Sequence, residues 1–198
     1  MKKTKNIGIL LFDDVEVLDF CGPFEVFSVT GYQRKERPFK IFTVAEDSPV
    51  IARNGLSVNP TYLLSDDVRI DILLVPGGMG TRREISNRRL IDWIKKRAAQ
   101  AELVLSVCTG SLLLAKCGLL KGLDVTTHHS AIDLLTKLAS DSRVLTDRRF
   151  IDNETIILSS GISAGIDMSL YTVAKLLGKE MARETAEHME YDWRPELI

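Results

Sequence analysis

Short apolar runs alternate with stretches of helical periodicity along nearly the whole chain, and this alternation is the strongest constraint on the fold. The run at 71–75 reads Asp-Ile-Leu-Leu-Val, and the run at 103–107 reads Leu-Val-Leu-Ser-Val. Such runs are typical of strands buried on both faces, because parallel sheets carry helices on each side. Residues 87–101, between them, have the apolar spacing of one helical stripe. The sequence predicts an α/β fold with a mostly parallel sheet.

The same pattern extends toward both ends of the chain. Pro23 suits the first turn of a helix that ends at Gly31, and Asn54-Gly55 predicts a tight turn in a small β-ribbon over 50–58. A second hairpin is predicted over 149–159. Further strands are predicted at 6–12, 39–45 and 124–127, and further helices at 111–117, 131–138, 166–177 and 179–191.

Length and charge limit the kinds of function that this chain can have. The 198 residues predict one domain, 1–198. With 26 Lys and Arg against 27 Asp and Glu, the net charge of -1 gives no field for a polyanion, so we expect no nucleic-acid partner. No stretch has the roughly 18 apolar residues that a membrane helix needs, so we expect no membrane partner and a cytoplasmic protein. Three cysteines without a paired spacing predict neither disulfides nor a metal site.

Cys108 is the sharpest candidate for chemistry. It follows the apolar run at 103–107 directly, and Thr109-Gly110 leads into the next helix. A thiol at the carboxyl end of a parallel strand and the start of a helix meets the helix dipole, which favours the thiolate and lowers the pKa. We therefore expect Cys108 to be a nucleophile. Cys21 and Cys117 lack this setting and are interpreted as packing residues.

Other candidates precede or follow the predicted strands. Gly77 and Gly78 follow the strand at 71–75, and the amides of Gly78 and Thr109 could together form an oxyanion hole. Asp19 stands where a helix cap would stand. Glu25 lies among apolar neighbours, which would raise its pKa and let it exchange a proton.

Two histidines follow the short strand predicted at 124–127. His128 is predicted either to line the pocket or to serve as a structural hydrogen-bonding residue, and His129 is expected at the surface.

Five segments together resemble the ThiJ/PfpI superfamily of class I glutamine amidotransferase-like proteins, over nearly the whole chain. The likeness is greatest to the branch with isonitrile hydratase and the amidotransferase-like sensor domains of AraC-type regulators. It implies a flavodoxin-like three-layer sandwich, a homodimer and no cofactor or metal. The segments are LLFDDVEVLDFCGPFEVF at 10–27, ILLVPGGMG at 72–80, VLSVCTGSLLLAKCGLLKG at 104–122, VTTHH at 125–129 and SSGISAGIDMSL at 159–170.

The resemblance also implies roles for individual residues. Cys108 matches the family nucleophile, Asp19 a proton donor, and Thr109 a residue essential for isonitrile hydration. Glu25 matches an acid that holds the thiolate. The remaining matches are Gly78, with the Thr109 amide, to the oxyanion donors, and His128 to a histidine at the pocket edge.

Three functions are compatible with these residues. The first is a cofactorless lyase that hydrates an isonitrile to an N-substituted formamide through a covalent Cys108 adduct. The second is a glyoxalase-like enzyme for α-oxoaldehydes, in which Glu25 and His128 move protons. The third is a non-catalytic redox or ligand sensor. Thr109 stands where protease-like branches have histidine, which disfavours a Cys-His protease. A chain ending at Ile198 is expected to lack room for a DNA-binding domain.

Overall fold

The computed structural model describes residues 3–194, and a seven-stranded sheet forms its centre. The strand order is β10-β11-β7-β6-β1-β2-β5, and every pair in it is parallel except the β10–β11 hairpin. The strands are β1 Lys5–Leu11, β2 Phe39–Ala45, β3 Val50–Ile51, β4 Ser57–Val58, β5 Tyr62–Leu63, β6 Ile72–Val75, β7 Leu103–Ser106, β8 Asp124–Val125, β9 Arg143–Val144, β10 Phe150–Asn153 and β11 Ile156–Ser159.

Helices cover the sheet in two groups, which gives three layers. Helices α1, α6 and α7 pack against one another. The second group is centred on α4, which contacts α2, α3 and α5. All four residues of β6 and of β7 are buried, as their apolar sequence predicts. The helices are α1 Val17–Val29, α2 Thr81–Glu84, α3 Arg88–Ala98, α4 Gly110–Lys116, α5 Ile132–Leu138, α6 Ala164–Leu177 and α7 Lys179–His188.

This topology confirms the predicted mostly parallel, flavodoxin-like sandwich. The order β2-β1-β6-β7-β11 is the doubly wound order in which ligands bind beyond the carboxyl ends of the strands. The predicted ribbon is also present, as the antiparallel pair β3–β4 with Asn54 and Gly55 at positive φ. Within residues 3–194, no helix is both long and apolar enough to cross a membrane.

The start of α1 differs from the prediction. The helix begins at Val17 with Glu16 as its N-cap residue, so Asp19 is the third helical residue rather than the cap. Pro23 lies in the interior of the helix, where its missing N–H leaves the carbonyl of Asp19 without the usual helical donor. The packing of the buried Pro23 against Gly165 of α6 compensates for the lost helical hydrogen bond. This longer helix carries Asp19 into the interior.

Candidate active site

Cys108 is at a sharp turn between β7 and α4. Its φ is 57°, a left-handed conformation that a side chain rarely adopts. Hydrogen bonds at the Cys108 backbone hold the turn. The Cys108 amide donates to the carbonyls of Ser159 (3.2 Å) and Ser160 (3.1 Å), and its carbonyl accepts from Oγ1 of Thr127 (2.9 Å). The predicted elbow is therefore present, and it is tied to the loops after β11 and β8.

Two glycines let the ends of β6 and β7 meet at this turn. A Cβ on Gly110 would lie 2.1 Å from the carbonyl oxygen of Val75. A Cβ on Gly77 would lie 2.4 Å from the amide nitrogen of Thr109. Both contacts are too short for any side chain, so these positions require glycine.

Asp19 is the acidic group that faces the thiol. Its side chain is 0% exposed, and Oδ2 accepts a hydrogen bond from the amide of Gly77 at 3.0 Å. Oδ1 is also buried and has no hydrogen-bond partner among the described residues. The carboxyl interacts with the thiol of Cys108. Helix α1 thus places a buried carboxyl, one oxygen of which has no hydrogen-bond partner, beside the Cys108 thiol.

Burial controls the titration of both groups. It raises the pKa of Asp19 to about 7, although the hydrogen bond from Gly77 opposes the shift. Burial also raises the pKa of the Cys108 thiol to about 12, and the negative charge of Asp19 adds to this effect. The prediction that the helix dipole lowers the pKa of Cys108 is therefore wrong. The dipole of the seven-residue helix α4 does not compensate for the free energy of hydration that a buried thiolate loses.

The backbone supplies donors to the sulfur. The N–H groups of Thr109 and Ile162 interact with it and favour the thiolate, against the effect of burial. Ile162 has a φ of 48°, so this β-branched residue is in a left-handed conformation. Sequence reasoning missed Ile162, because a backbone donor from a distant loop has no signature in its side chain.

The amide of Gly78, predicted as the second oxyanion donor, is already in use. It donates to Oγ1 of Thr109 at 2.9 Å, and the Gly78 carbonyl lies 3.1 Å from the same hydroxyl. Oγ1 of Thr81 is 3.2 Å from Oγ1 of Thr109 as well. Thr109 therefore holds the loop after β6, and Gly78 would bind an oxyanion only by exchanging its bond to this hydroxyl.

Glu25 does not join this group. It is exposed on α1, whereas Asp19 is buried. Six residues of an α-helix turn the side chain through about 240°, so the two carboxyls point to different sides. The interactions on the thiol come from Asp19 and backbone amides, not from Glu25. The structure gives Asp19 the position that the resemblance assigned to Glu25.

A cleft of about 550 Å³ adjoins the elbow. His128, Thr127 and Ile162 line it, and His128 is half-buried with its Nδ1 atom 2.8 Å from Oγ of Ser130. Burial lowers the pKa of His128, and the neighbouring His129 ring, 4.1 Å away between centroids, lowers it further. The predicted position of His128 at a pocket edge agrees with this geometry.

These features define a class of protein: a flavodoxin-like sandwich with a strained cysteine at a strand-to-helix elbow and a buried acid beside it. Residues 5–175 match the DJ-1/PfpI family, and the chain belongs to that family. An isonitrile hydratase of Pseudomonas putida is 35% identical over 94% of this chain and 78% of its own length. A solved ThiJ/PfpI family protein from Pseudomonas syringae has a TM-score of 0.86 and 31% identity, over 98% of this chain and 77% of that one.

A transcriptional regulator is also related. The HTH-type regulator GbdR of Pseudomonas aeruginosa is 26% identical over 96% of this chain, which spans only 52% of the regulator's length. This chain is therefore similar both to a protein named as an enzyme and to a protein named as a regulator.

Proposed function

We propose that this protein is a cysteine-dependent lyase that hydrates an isonitrile to an N-substituted formamide. The observation that carries the proposal is the buried pair of Asp19 and Cys108, in which a carboxyl with a pKa of about 7 lies beside a thiol. Such a pair offers a nucleophile and a proton in one water-poor site. The 35% identity to an isonitrile hydratase supports the choice of substrate.

The reaction needs one nucleophile and one proton donor, and the site supplies both. The thiolate of Cys108 attacks the terminal carbon of the isonitrile and forms a C–S bond. The Asp19 carboxyl gives its proton to the same carbon, and the product is a thioimidate. Thiolate formation is easiest while Asp19 is protonated, because an ionised Asp19 raises the thiol pKa. One negative charge is then shared by the pair.

Water completes the cycle. Its oxygen adds to the thioimidate carbon, and one of its protons goes to the nitrogen. The C–S bond then breaks, the Cys108 thiolate is released, and the remaining proton of the water returns to the Asp19 carboxylate as the carbonyl of the formamide forms. The hydroxyl of Thr109 would orient this water by giving up one of its contacts with Gly78. His128 would contact the rest of the substrate in the adjoining cleft.

Mass spectrometry of the intact protein tests the proposal directly. Wild type and Cys108→Ala are incubated with cyclohexyl isocyanide, and the formamide is measured in parallel. We expect formamide from wild type alone and, at short times, an adduct that the variant lacks. If Cys108→Ala formed formamide at the wild-type rate, the covalent mechanism would be wrong.

A ligand-sensing module is the second candidate, because this chain matches about half of a regulator. In that case small electrophiles would bind in the cleft without turnover. A sensor that works by oxidation is less well supported, since Cys108 is only 5% exposed. The glyoxalase alternative loses the proton-transfer role of Glu25, which faces solvent.

We also propose that the protein is a cytoplasmic homodimer. The three cysteines are free thiols, which suits a reducing compartment. Leu18 and Phe24 on α1 are 39% and 37% exposed, and Met79 is 50% exposed. A protein interface over these side chains would remove them from water. Sedimentation equilibrium would show twice the chain mass for a homodimer and the chain mass for a monomer.

A further inference from the structure

Two similar polar clusters join α6 to the β10–β11 hairpin and its flanks. The Asp167 cluster consists of Asp167 on α6, Arg149 just before β10, Ser163 and Tyr191. Asp167 is 5% exposed and accepts hydrogen bonds from Nε of Arg149 and from the Tyr191 hydroxyl, the latter at 3.0 Å. Nη2 of Arg149 also contacts Oγ of Ser163 at 3.3 Å. The steps proposed above do not use this ion pair, in which the carboxylate of Asp167 is buried and the guanidinium of Arg149 is partly exposed.

Arg149 holds both ends of the loop over 160–163. Its carbonyl accepts from the amide of Ser160 (2.9 Å) and from the Ser160 hydroxyl (3.1 Å), while its guanidinium reaches Ser163. Ile162 lies between these two anchors with its φ of 48°. A strained conformation persists only where surrounding contacts fix it. The anchors supplied by Arg149 are such contacts.

The loop leads from the ion pair to the sulfur. The carbonyl of Ser160 accepts from the amide of Cys108 at 3.1 Å, and the amide of Ile162 interacts with the thiol. The ion pair therefore connects to the nucleophile through one short segment of backbone.

We propose that Arg149 and Asp167 are positioning residues that hold the Ile162 amide against the Cys108 sulfur and thereby favour the thiolate. The effect on the thiolate is a property of the free protein, and its consequence for turnover rests on the proposed function. An N–H that remains aimed at the sulfur stabilises the negative charge that develops there. When the pair is weakened, the loop can relax and the amide turns away.

The second cluster provides a matched control. Asp152 on β10 accepts from Nζ of Lys175 at 2.6 Å and from the Tyr171 hydroxyl at 2.8 Å. This cluster also pairs an aspartate with a cationic side chain and a tyrosine hydroxyl, and it joins the same hairpin to α6. Its lysine, Lys175, lies about two helical turns further along α6 from the 160–163 loop. Asp152→Asn therefore measures the general effect of losing an ion pair between these elements.

Site-resolved alkylation by iodoacetamide tests the proposal without any substrate. The rate at Cys108 is followed from pH 7 to 10 in wild type, Asp167→Asn and Asp152→Asn, with the buried Cys117 as an internal monitor of unfolding. We expect Asp167→Asn to slow Cys108 about tenfold at each pH, which corresponds to a thiol pKa about one unit higher. Asp152→Asn and the rate at Cys117 should not change.

Two results would overturn the proposal. The first is an alkylation rate at Cys108 that is unchanged or faster in folded Asp167→Asn. The second is an equal change of that rate in Asp152→Asn, or an equal change of the rate at Cys117, because either would show that Asp167 acts only on the stability of the fold. If Asp167→Asn does not fold, Tyr191→Phe removes one hydrogen bond and keeps the ion pair, with a smaller slowing expected. In a hydratase assay, Asp167→Asn should lower kcat, and KM is recorded separately because Arg149 and Ser163 also line the cleft. A wild type inactive on isonitriles would refute the proposed function but not the alkylation result.

Discussion

Cys108 and Cys117 lie at opposite ends of α4, and both are buried thiols whose pKa is raised by burial. The pKa reaches about 12 for Cys108 and about 11 for Cys117. What differs is the surroundings. Cys117 directs its sulfur toward the carbonyl of Ile91 at 3.6 Å, whereas Cys108 has a carboxyl and two backbone amides around it. Burial alone therefore does not distinguish the two thiols, but a neighbouring carboxyl and backbone donors to the sulfur do.

The largest expected effect separates the two cysteines by turnover. Cys108→Ala should lower formamide production from cyclohexyl isocyanide by at least about 10⁴-fold, because no other group can form the covalent intermediate. Cys117→Ala should stay within about twofold of wild type. Both rates are measured on protein whose thermal unfolding is recorded in parallel. Equal losses in the two variants would remove the distinction between the thiols.

The second prediction concerns the carboxyl that Cys117 lacks. Asp19 has a folded pKa of about 7 against an ordinary value of 3.8, so the folded protein holds a proton that the unfolded chain releases. This contribution is fully present below pH 4 and is lost as pH rises to about 7. Between pH 4 and pH 7, the free energy of unfolding of wild type should therefore fall by up to about 4 kcal/mol relative to that of Asp19→Asn.

Urea unfolding of both proteins at pH 4.5, 6 and 8 measures this difference. Cys117→Ala, whose site contains no such acid, serves as the control, and its free energy of unfolding should differ from that of wild type by the same amount at every pH. A constant gap between wild type and Asp19→Asn would mean that Asp19 titrates in its ordinary range.

A smaller effect is expected on catalysis from the same substitution. Asp19→Asn keeps an oxygen that can accept from Gly77 but cannot deliver a proton. We expect turnover to fall about 100-fold, at the lower end for loss of a general acid. The steady-state rate with isonitrile measures it, and an activity above half of wild type would exclude Asp19 as the proton donor.

The smallest effect sharpens the comparison of the two acids on α1. Glu25→Gln removes a charge that faces solvent, so turnover should change by less than about twofold and stability by less than about 0.5 kcal/mol. The same assay and urea series provide the measurement. A large loss of turnover would restore the role that the family resemblance gave to Glu25.

The sheet and the elbow could be predicted because their signals are local. Apolar runs such as 71–75 and 103–107 report burial on both faces, and Cys108 follows one of them directly. The two-residue strand Tyr62–Leu63 was missed because so short an edge strand has no periodicity to detect. The role of Ile162 depends on a loop more than 50 residues away in sequence.

The two acids show why a local interpretation fails at the site. Apolar neighbours in sequence suggested a buried Glu25, but in a helix the neighbours that matter are three and four residues away. Both acids lie in the helix that begins at Val17, where Asp19 is on the buried face and Glu25 is on the exposed face. The helical spacing, rather than the composition of the neighbouring sequence, therefore decides which carboxyl is buried.

The close contacts at Gly77 and Gly110 also limit how the elbow can vary. At both positions backbone lies against backbone, with no room for even a methyl group. The cleft that adjoins the elbow is lined by side chains, among them those of His128 and Ile162. Substitutions in the cleft can therefore alter what binds there, whereas any substitution at the two glycines would move the turn that carries Cys108.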